Sequence, residues 1–170
     1  MSLELHQSLV KKRIYIASPL FSVAELEFNR AIKQQLSEYF EVFLPQEDGG
    51  LIIDLVKNGL SPASATRKVF NLDIGALDSC DLLLVVLDGR TIDEGAAFEL
   101  GYAYAKGKRC YGLQTDVRRL LTYGNNPMIE SACEIIFDSL EVMSKWFEGC
   151  FIKEVNKDFK MNLDNISVYV

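Results

Sequence analysis

The sequence predicts an α/β domain: a doubly wound, five-stranded parallel sheet with helices on both faces. Three observations carry this expectation. Short apolar runs alternate with amphipathic helical stretches along the chain, the pattern of successive strand–helix–strand units. The run Leu82-Leu-Leu-Val-Val-Leu87 is apolar on both faces, as a strand covered from both sides must be. The first two strand-like runs are each cut off by proline, at Ser18-Pro19 and at Pro45, which removes a backbone donor and fixes φ.

Taken in order, Arg13-Ile-Tyr-Ile-Ala17 reads as the first strand. Ser22 caps a helix running to about Tyr39, with Val23, Leu26, Ile32 and Leu36 in its apolar stripe. Glu41-Val-Phe-Leu44 is a short second strand, and Gln46-Glu-Asp-Gly-Gly50 reads as a polar loop. A short helix is expected from Leu51 to Gly59. Ser61 then caps a longer one, with Pro62 at its first position and Val69, Phe70, Ile74 and Leu77 on its apolar side. Leu82 to Leu87 is the third strand, and Asp88-Gly-Arg90 a turn. Thr91-Ile-Asp-Glu94 has the form of a capping box, and Gly107 ends the helix that follows. Arg109-Cys-Tyr-Gly-Leu113 is the fourth strand. A polar loop runs from Thr115 to Pro127, Glu134-Ile-Ile-Phe137 is the fifth strand, and Leu140 to Phe151 the last helix. The expected organisation is a flexible leader over 1–11, one domain over 12–152, and a polar tail over 153–170 able to cover a site or a neighbouring subunit. The flavodoxin-like strand order fits best.

Composition narrows the function. The chain has 170 residues, 49% of them hydrophobic, and a net charge of −6 with its basic residues scattered, which disfavours a nucleic-acid polymer as partner. No apolar run approaches the roughly 20 residues of a membrane span, and the first dozen residues lack a secretion signal, so a cytoplasmic protein is expected. One histidine, His6, and four cysteines without C-x-x-C spacing (Cys80, Cys110, Cys133, Cys150) argue against a metal centre, a Cys–His dyad and a disulfide framework. The strand-one loop reads Ser18-Pro-Leu-Phe21 and offers no glycine-rich phosphate cradle, so no nucleotide or flavin cofactor is expected.

Chemistry is then left to carboxylates, Tyr, Asn and Ser. Glu99 stands out. Its helix is built of small and apolar residues, and at helical spacing it shares a face with Gly95, Ala96, Tyr102 and Ala103. A carboxylate on a close-packed face is costly unless it is paired or used. The helix follows a strand, so it begins at the carboxyl edge of the sheet, where α/β proteins bind ligands. The same edge gathers Tyr15, Ser18 and Phe21 from strand one, Gln46, Glu47 and Asp48 from strand two, and Asp88 and Asp93 from strand three. The expected site is an acidic pocket with aromatic walls. It suits a neutral polyhydroxy ligand bearing a flat ring, and paired carboxylates are the machinery of glycosyl transfer.

These residues carry a family resemblance. Asp93-Glu-Gly-Ala-Ala-Phe-Glu-Leu-Gly-Tyr-Ala103 resembles the signature of the nucleoside 2-deoxyribosyltransferases, in which an Asp precedes a nucleophilic Glu by six and Leu-Gly follows. Ile14-Tyr-Ile-Ala-Ser-Pro-Leu-Phe21, Asn71-Leu-Asp73 and Asn126-Pro-Met128 are similar to three further stretches of that family, in the same order. The resemblance implies a cofactor-free homo-oligomer acting on deoxyribonucleosides and free nucleobases. Glu99 would attack the anomeric carbon and Tyr15 would orient it. Asp93 would hold sugar hydroxyls, Asp73 the base, and Phe21 would line the base pocket. Asn126 would reach a neighbouring subunit's site; Gln46, from its place at the strand-two edge, is expected to touch base or sugar. Two rivals remain: a 2-deoxynucleoside 5-monophosphate N-glycosidase on the same fold, whose members carry an Arg-bearing loop after strand one, and a non-catalytic nucleoside-binding module.

Overall fold

The computed structural model describes residues 11–118 and 124–152. Five strands are present: β1 (Arg13–Ala17), β2 (Glu41–Phe43), β3 (Leu82–Val86), β4 (Arg109–Leu113) and β5 (Ile135–Phe137). They form one sheet in the order β2-β1-β3-β4-β5, with every pair parallel. This is the flavodoxin-like arrangement. The order reverses between β1 and β3, which leaves a crevice outside their carboxyl ends.

The strands alternate strictly. Ile14, Ile16, Leu82, Leu84 and Val86 enter one core layer, whereas Tyr15, Ala17, Leu83 and Val85 enter the other. The first layer is closed by helix α1 (Val23–Leu36), through Ile32 and Leu36, and by the helix over 140–152, through Met143 and Phe147. The short helices α2 (Pro45–Asp48) and α3 (Ile52–Lys57) lead to α4 (Pro62–Ser79). With α5 (Glu94–Ala105), α4 closes the second layer through Ala76, Leu77, Ala96, Leu100 and Ala103. Each fully buried Leu contributes about 1.5–3 kcal/mol. The β1–β3 pair is therefore the rigid centre on which the adjoining site is built.

Helix signals acted locally as expected at two starts. Ser22 and Glu25 form a reciprocal capping box on α1, and Ser61 caps α4 with Pro62 behind it. Gly107 follows α5 with φ +71°, a conformation that favours glycine. Three expectations need correction. Helix α1 stops at Leu36, and Tyr39 and Phe40 turn back onto the core, Phe40 edge-on to Phe147 at 5.1 Å. The N-cap of α5 is Asp93 rather than Thr91: its carboxylate accepts from the Ala96 amide at 2.9 Å, because Asp93 is the last extended residue before helical backbone begins. Residues 45–48 are a helical turn rather than an open loop, since Pro45 presets the first helical φ and Asp48 accepts from the Leu44 amide at 2.8 Å. Of the expected leader only Lys11 is described, and it donates to the Ser37 carbonyl at 2.8 Å. The tail over 153–170 and residues 119–123 of the polar loop lie outside the described residues.

Candidate active site

Tyr15 is held by the sheet. It is fully buried on β1, and Phe43 from β2 stacks on it at 5.2 Å with 18° between the planes. Its side chain points toward α5, because the pleat sends Tyr15 and Ala17 to that face. There its hydroxyl donates to Glu99 Oε1 at 2.5 Å. Glu99 lies one turn past Gly95 on α5, and the buried stripe of the helix is Ala96, Leu100 and Ala103. Glu99 thus sits at the border of that stripe, half-buried, with one oxygen fixed from below.

Asp73 completes the group from α4. It lines the same cleft as Glu99, a space of about 270 Å³ bounded by Phe70, Ile74, Leu77, Gly95 and Phe98. Asp73 Oδ1 is shut off from water and has no hydrogen-bond partner. A Cβ on Gly49 would come 3.3 Å from that oxygen, so the turn after β2 closes over it. Gly95 keeps the cleft open, since it carries no side chain one turn before Glu99.

The electrostatics follow from this burial. Desolvation pushes the Glu99 carboxyl up to about 8; the Tyr15 hydrogen bond opposes the rise, and the charges of Asp73 and Asp93 add to it. Desolvation alone pushes Asp73 up to about 6. Tyr15 is raised above its ordinary value by burial first and then by the Glu99 charge, so it remains a hydrogen-bond donor throughout the physiological range. Two carboxyls with separated affinities for a proton, facing one cleft, are the equipment of acid–base and nucleophilic work at a sugar centre.

The expected acidic pocket is smaller than the sequence suggested. Glu47 and Asp48 are engaged by Lys33 at 3.0 and 2.9 Å, and Glu47 also by Arg30 at 3.4 Å. Asp88 accepts from the Thr115 amide and hydroxyl at 2.6 Å each, and from the Asp116 amide at 2.9 Å, tying the β3 edge to the β4 edge. Three carboxylates remain, Asp73, Asp93 and Glu99, and only the first and last line the cleft.

The other expected site residues stand apart from the cleft walls. Gln46 spans to α1: its amide nitrogen donates to the Leu26 carbonyl at 3.0 Å, and its oxygen accepts from Asn29 at 2.9 Å. Phe21 is 80% exposed on the loop after β1. Asn126 caps the turn α6 (Pro127–Glu130), accepting from the Met128 amide at 2.9 Å. It lines a separate hollow of about 180 Å³ with Gly89, Arg90, Gln114, Asn125 and Ile129. Within one chain, then, Tyr15, Glu99 and Asp73 come together, Asp93 supports their helix, and Asn126, Phe21 and Gln46 do not touch the cleft. Sequence reasoning did not single out Phe98 and Gly95 as cleft residues, although both flank Glu99 on its own helix.

The family model described as nucleoside 2-deoxyribosyltransferase matches residues 14–163. This chain belongs to that family. It is accordingly a nucleoside-modifying enzyme, with the Tyr15–Glu99 pair inside the matched region. Among individual proteins, the chain is 28% identical over 117 residues to the uncharacterized protein UU063 of Ureaplasma parvum serovar 3, covering 64% of this chain and 73% of that one. Among solved structures, a conserved protein from Enterococcus faecalis V583 is 27% identical with a TM-score of 0.65, covering 82% of this chain and 98% of that one. A 2-deoxyribosyltransferase from Bacillus psychrosaccharolyticus shares the fold at 24% identity and a TM-score of 0.64, covering 78% and 90% of the two chains. A CMP N-glycosidase from Clostridium botulinum shares it at 19% identity and a TM-score of 0.50, covering 81% and 99%. Among the described residues no helix is long and apolar enough to cross a membrane.

Proposed function

We propose that this enzyme transfers 2-deoxyribose between nucleobases by double displacement. The observation that carries the reading is the 2.5 Å hydrogen bond from buried Tyr15 to Glu99, which lines a cleft together with Asp73. Glu99, as its anion, attacks the anomeric carbon while the bond from that carbon to the base nitrogen breaks. The electron pair leaves with the base, and Asp73, having taken up the proton that burial keeps on Glu99 in the free enzyme, neutralises it. The sugar is left as an ester on Glu99. A second base attacks from the side the first one vacated and gives its N–H proton back to Asp73, Glu99 departs as carboxylate, and configuration is retained overall. A 2-deoxy sugar has no hydroxyl beside the reacting carbon to withdraw electrons, so positive charge develops readily and a nearby anion stabilises it.

In this reading Asp93, beside the cleft at the start of α5, holds sugar hydroxyls while capping the helix. Asn126 serves the site of a neighbouring copy, which accounts for its distance from Glu99 in its own chain and makes the active enzyme a homo-oligomer. Phe21, exposed on the loop after β1, borders the ligand from that edge, whereas Gln46 commits its amide to Leu26 and Asn29 and positions α1. No cofactor takes part. Water can attack the same ester, so slow hydrolysis accompanies transfer.

The rival cleavage of deoxynucleoside monophosphates requires cations for a phosphate. Among the described residues no cationic side chain lines the cleft, whose polar side chains are the carboxyls of Asp73 and Glu99. The deciding experiment incubates the protein with deoxyinosine and adenine and follows deoxyadenosine by chromatography, with deoxynucleoside monophosphates in a parallel arm. Formation of deoxyadenosine supports transfer. Cleavage of monophosphates alone supports the hydrolase, and binding without products supports a sensor.

A further inference from the structure

Two exposed phenylalanines lie beside the Glu99 cleft and are unused by the chemistry above. Phe70 on α4 is 46% exposed and Phe98 on α5 is 54% exposed, and their rings stand 6.1 Å apart at the cleft wall. Each is tied in sequence to a carboxyl of the site: Phe70 is one turn before Asp73, and Phe98 immediately precedes Glu99. Large apolar rings left half in water side by side at the wall of a cleft mark a binding surface.

We infer that Phe70 and Phe98 form the wall against which the nucleobase stacks as it leaves and as its replacement arrives. The inference rests on the proposed transferase reading and extends it. An in-line displacement places nucleophile and leaving group on opposite sides of the anomeric carbon. Glu99 is anchored inward by Tyr15 from the sheet, so the base points outward, toward the rim where the two rings stand. Phe98 is also braced. It lies nearly parallel to Tyr102 at 6.5 Å and 18°, and the Tyr102 hydroxyl donates to Asp78 at 2.9 Å. A braced ring costs little further ordering when a flat ligand settles on it. Every base has a π face, so this wall holds purines and pyrimidines alike and leaves discrimination to hydrogen bonds at the base edge, where Asp73 is the available group.

The test compares wild type with Phe98→Leu, Phe70→Leu and Phe98→Tyr. Leu keeps the apolar bulk and removes the aromatic face, whereas Tyr keeps it. With deoxyinosine as donor and adenine as acceptor, KM for adenine is measured alongside KM for deoxyinosine in acceptor-free hydrolysis and the sedimentation coefficient. The Leu variants are expected to raise KM for adenine by about 5- to 150-fold, the range for losing one base–aromatic stack. Because the departing base uses the same wall, KM for deoxyinosine in acceptor-free hydrolysis rises in parallel, and Phe98→Tyr restores both wild-type KM values. An unchanged KM in both Leu variants, with exchange intact, overturns the wall and leaves the transferase reading standing. A KM change that appears only together with dissociation of an oligomer also overturns it, because the rings then seat a second copy. If wild type releases no base from any deoxyribonucleoside, the transferase reading fails and this inference fails with it.

Discussion

Replacing Glu99 with Gln is expected to remove activity and, above neutral pH, to make the folded protein more stable. The reason is the cost of placing an anion on the half-buried border of α5. Desolvation carries the Glu99 carboxyl from 4.5 up to about 8. A folded-state pKa above the unfolded one means that the folded chain holds its proton longer. The associated stability is complete below pH 4.5, falls as the pH rises, and is gone once the pH passes about 8. At about 1.4 kcal/mol per pH unit the full penalty is up to about 5 kcal/mol, and partial solvation brings the expected gain to a few kcal/mol. Gln has the same shape and can still accept from Tyr15, so packing changes little. Urea unfolding of both proteins across pH 4 to 9 reads the effect. Wild type should lose stability relative to Glu99→Gln between about pH 4.5 and 8, then run parallel to it. Asp73 titrates in the same window, so the slope belongs to the coupled pair. Parallel curves throughout, or a variant less stable than wild type at pH 8, would refute the reasoning.

Other expectations follow from the same geometry. Tyr15→Phe removes the hydrogen bond that lowers the Glu99 pKa, so the acidic limb of kcat/KM should move to higher pH by about one to two units, the worth of a hydrogen bond to a charged group; a pH–rate profile checks it. Asp93→Asn keeps a good helix cap and removes the charge, so kcat/KM should fall with stability nearly unchanged, whereas Asp93→Ala should lose an additional 0.5–2 kcal/mol or so in thermal unfolding. Gly49→Ala places a Cβ 2.5 Å from the Pro45 carbonyl oxygen and 3.3 Å from Asp73 Oδ1, so it should destabilise by about 1–3 kcal/mol and disturb Asp73, measurable as lower Tm together with a shifted activity profile.

Much of the frame was legible because it is written locally. Leu82 to Val86 and Arg13 to Ala17 declare strands by composition, and Ser22 and Ser61 declare helix starts by chemistry that acts within four residues. Glu99 was legible because its neighbours on α5 are small and apolar, which makes a carboxylate conspicuous. What escaped depends on distant partners. Lys33 engages Glu47 and Asp48 from α1, so two apparent site acids are ion-paired. Asp73 looks like an ordinary helical Asp until Gly49, remote in sequence, is seen beside its oxygen. The α5 cap was ambiguous because Thr91 and Asp93 both satisfy the local pattern, and only backbone conformation chooses between them. Phe98 was passed over because its exposure reads as a lapse in periodicity unless the cleft beside it is known.

The most direct test of Glu99 as nucleophile is a covalent trap. A deoxyribonucleoside with fluorine at carbon 2 disfavours positive charge at the neighbouring carbon and slows both displacements, so the sugar ester should persist. Peptide mass spectrometry after such an incubation should find the fluorosugar on the peptide carrying Glu99 in wild type, and no adduct in Glu99→Gln. A sugar attached to any other residue, or exchange proceeding undiminished in Glu99→Gln, would contradict the account.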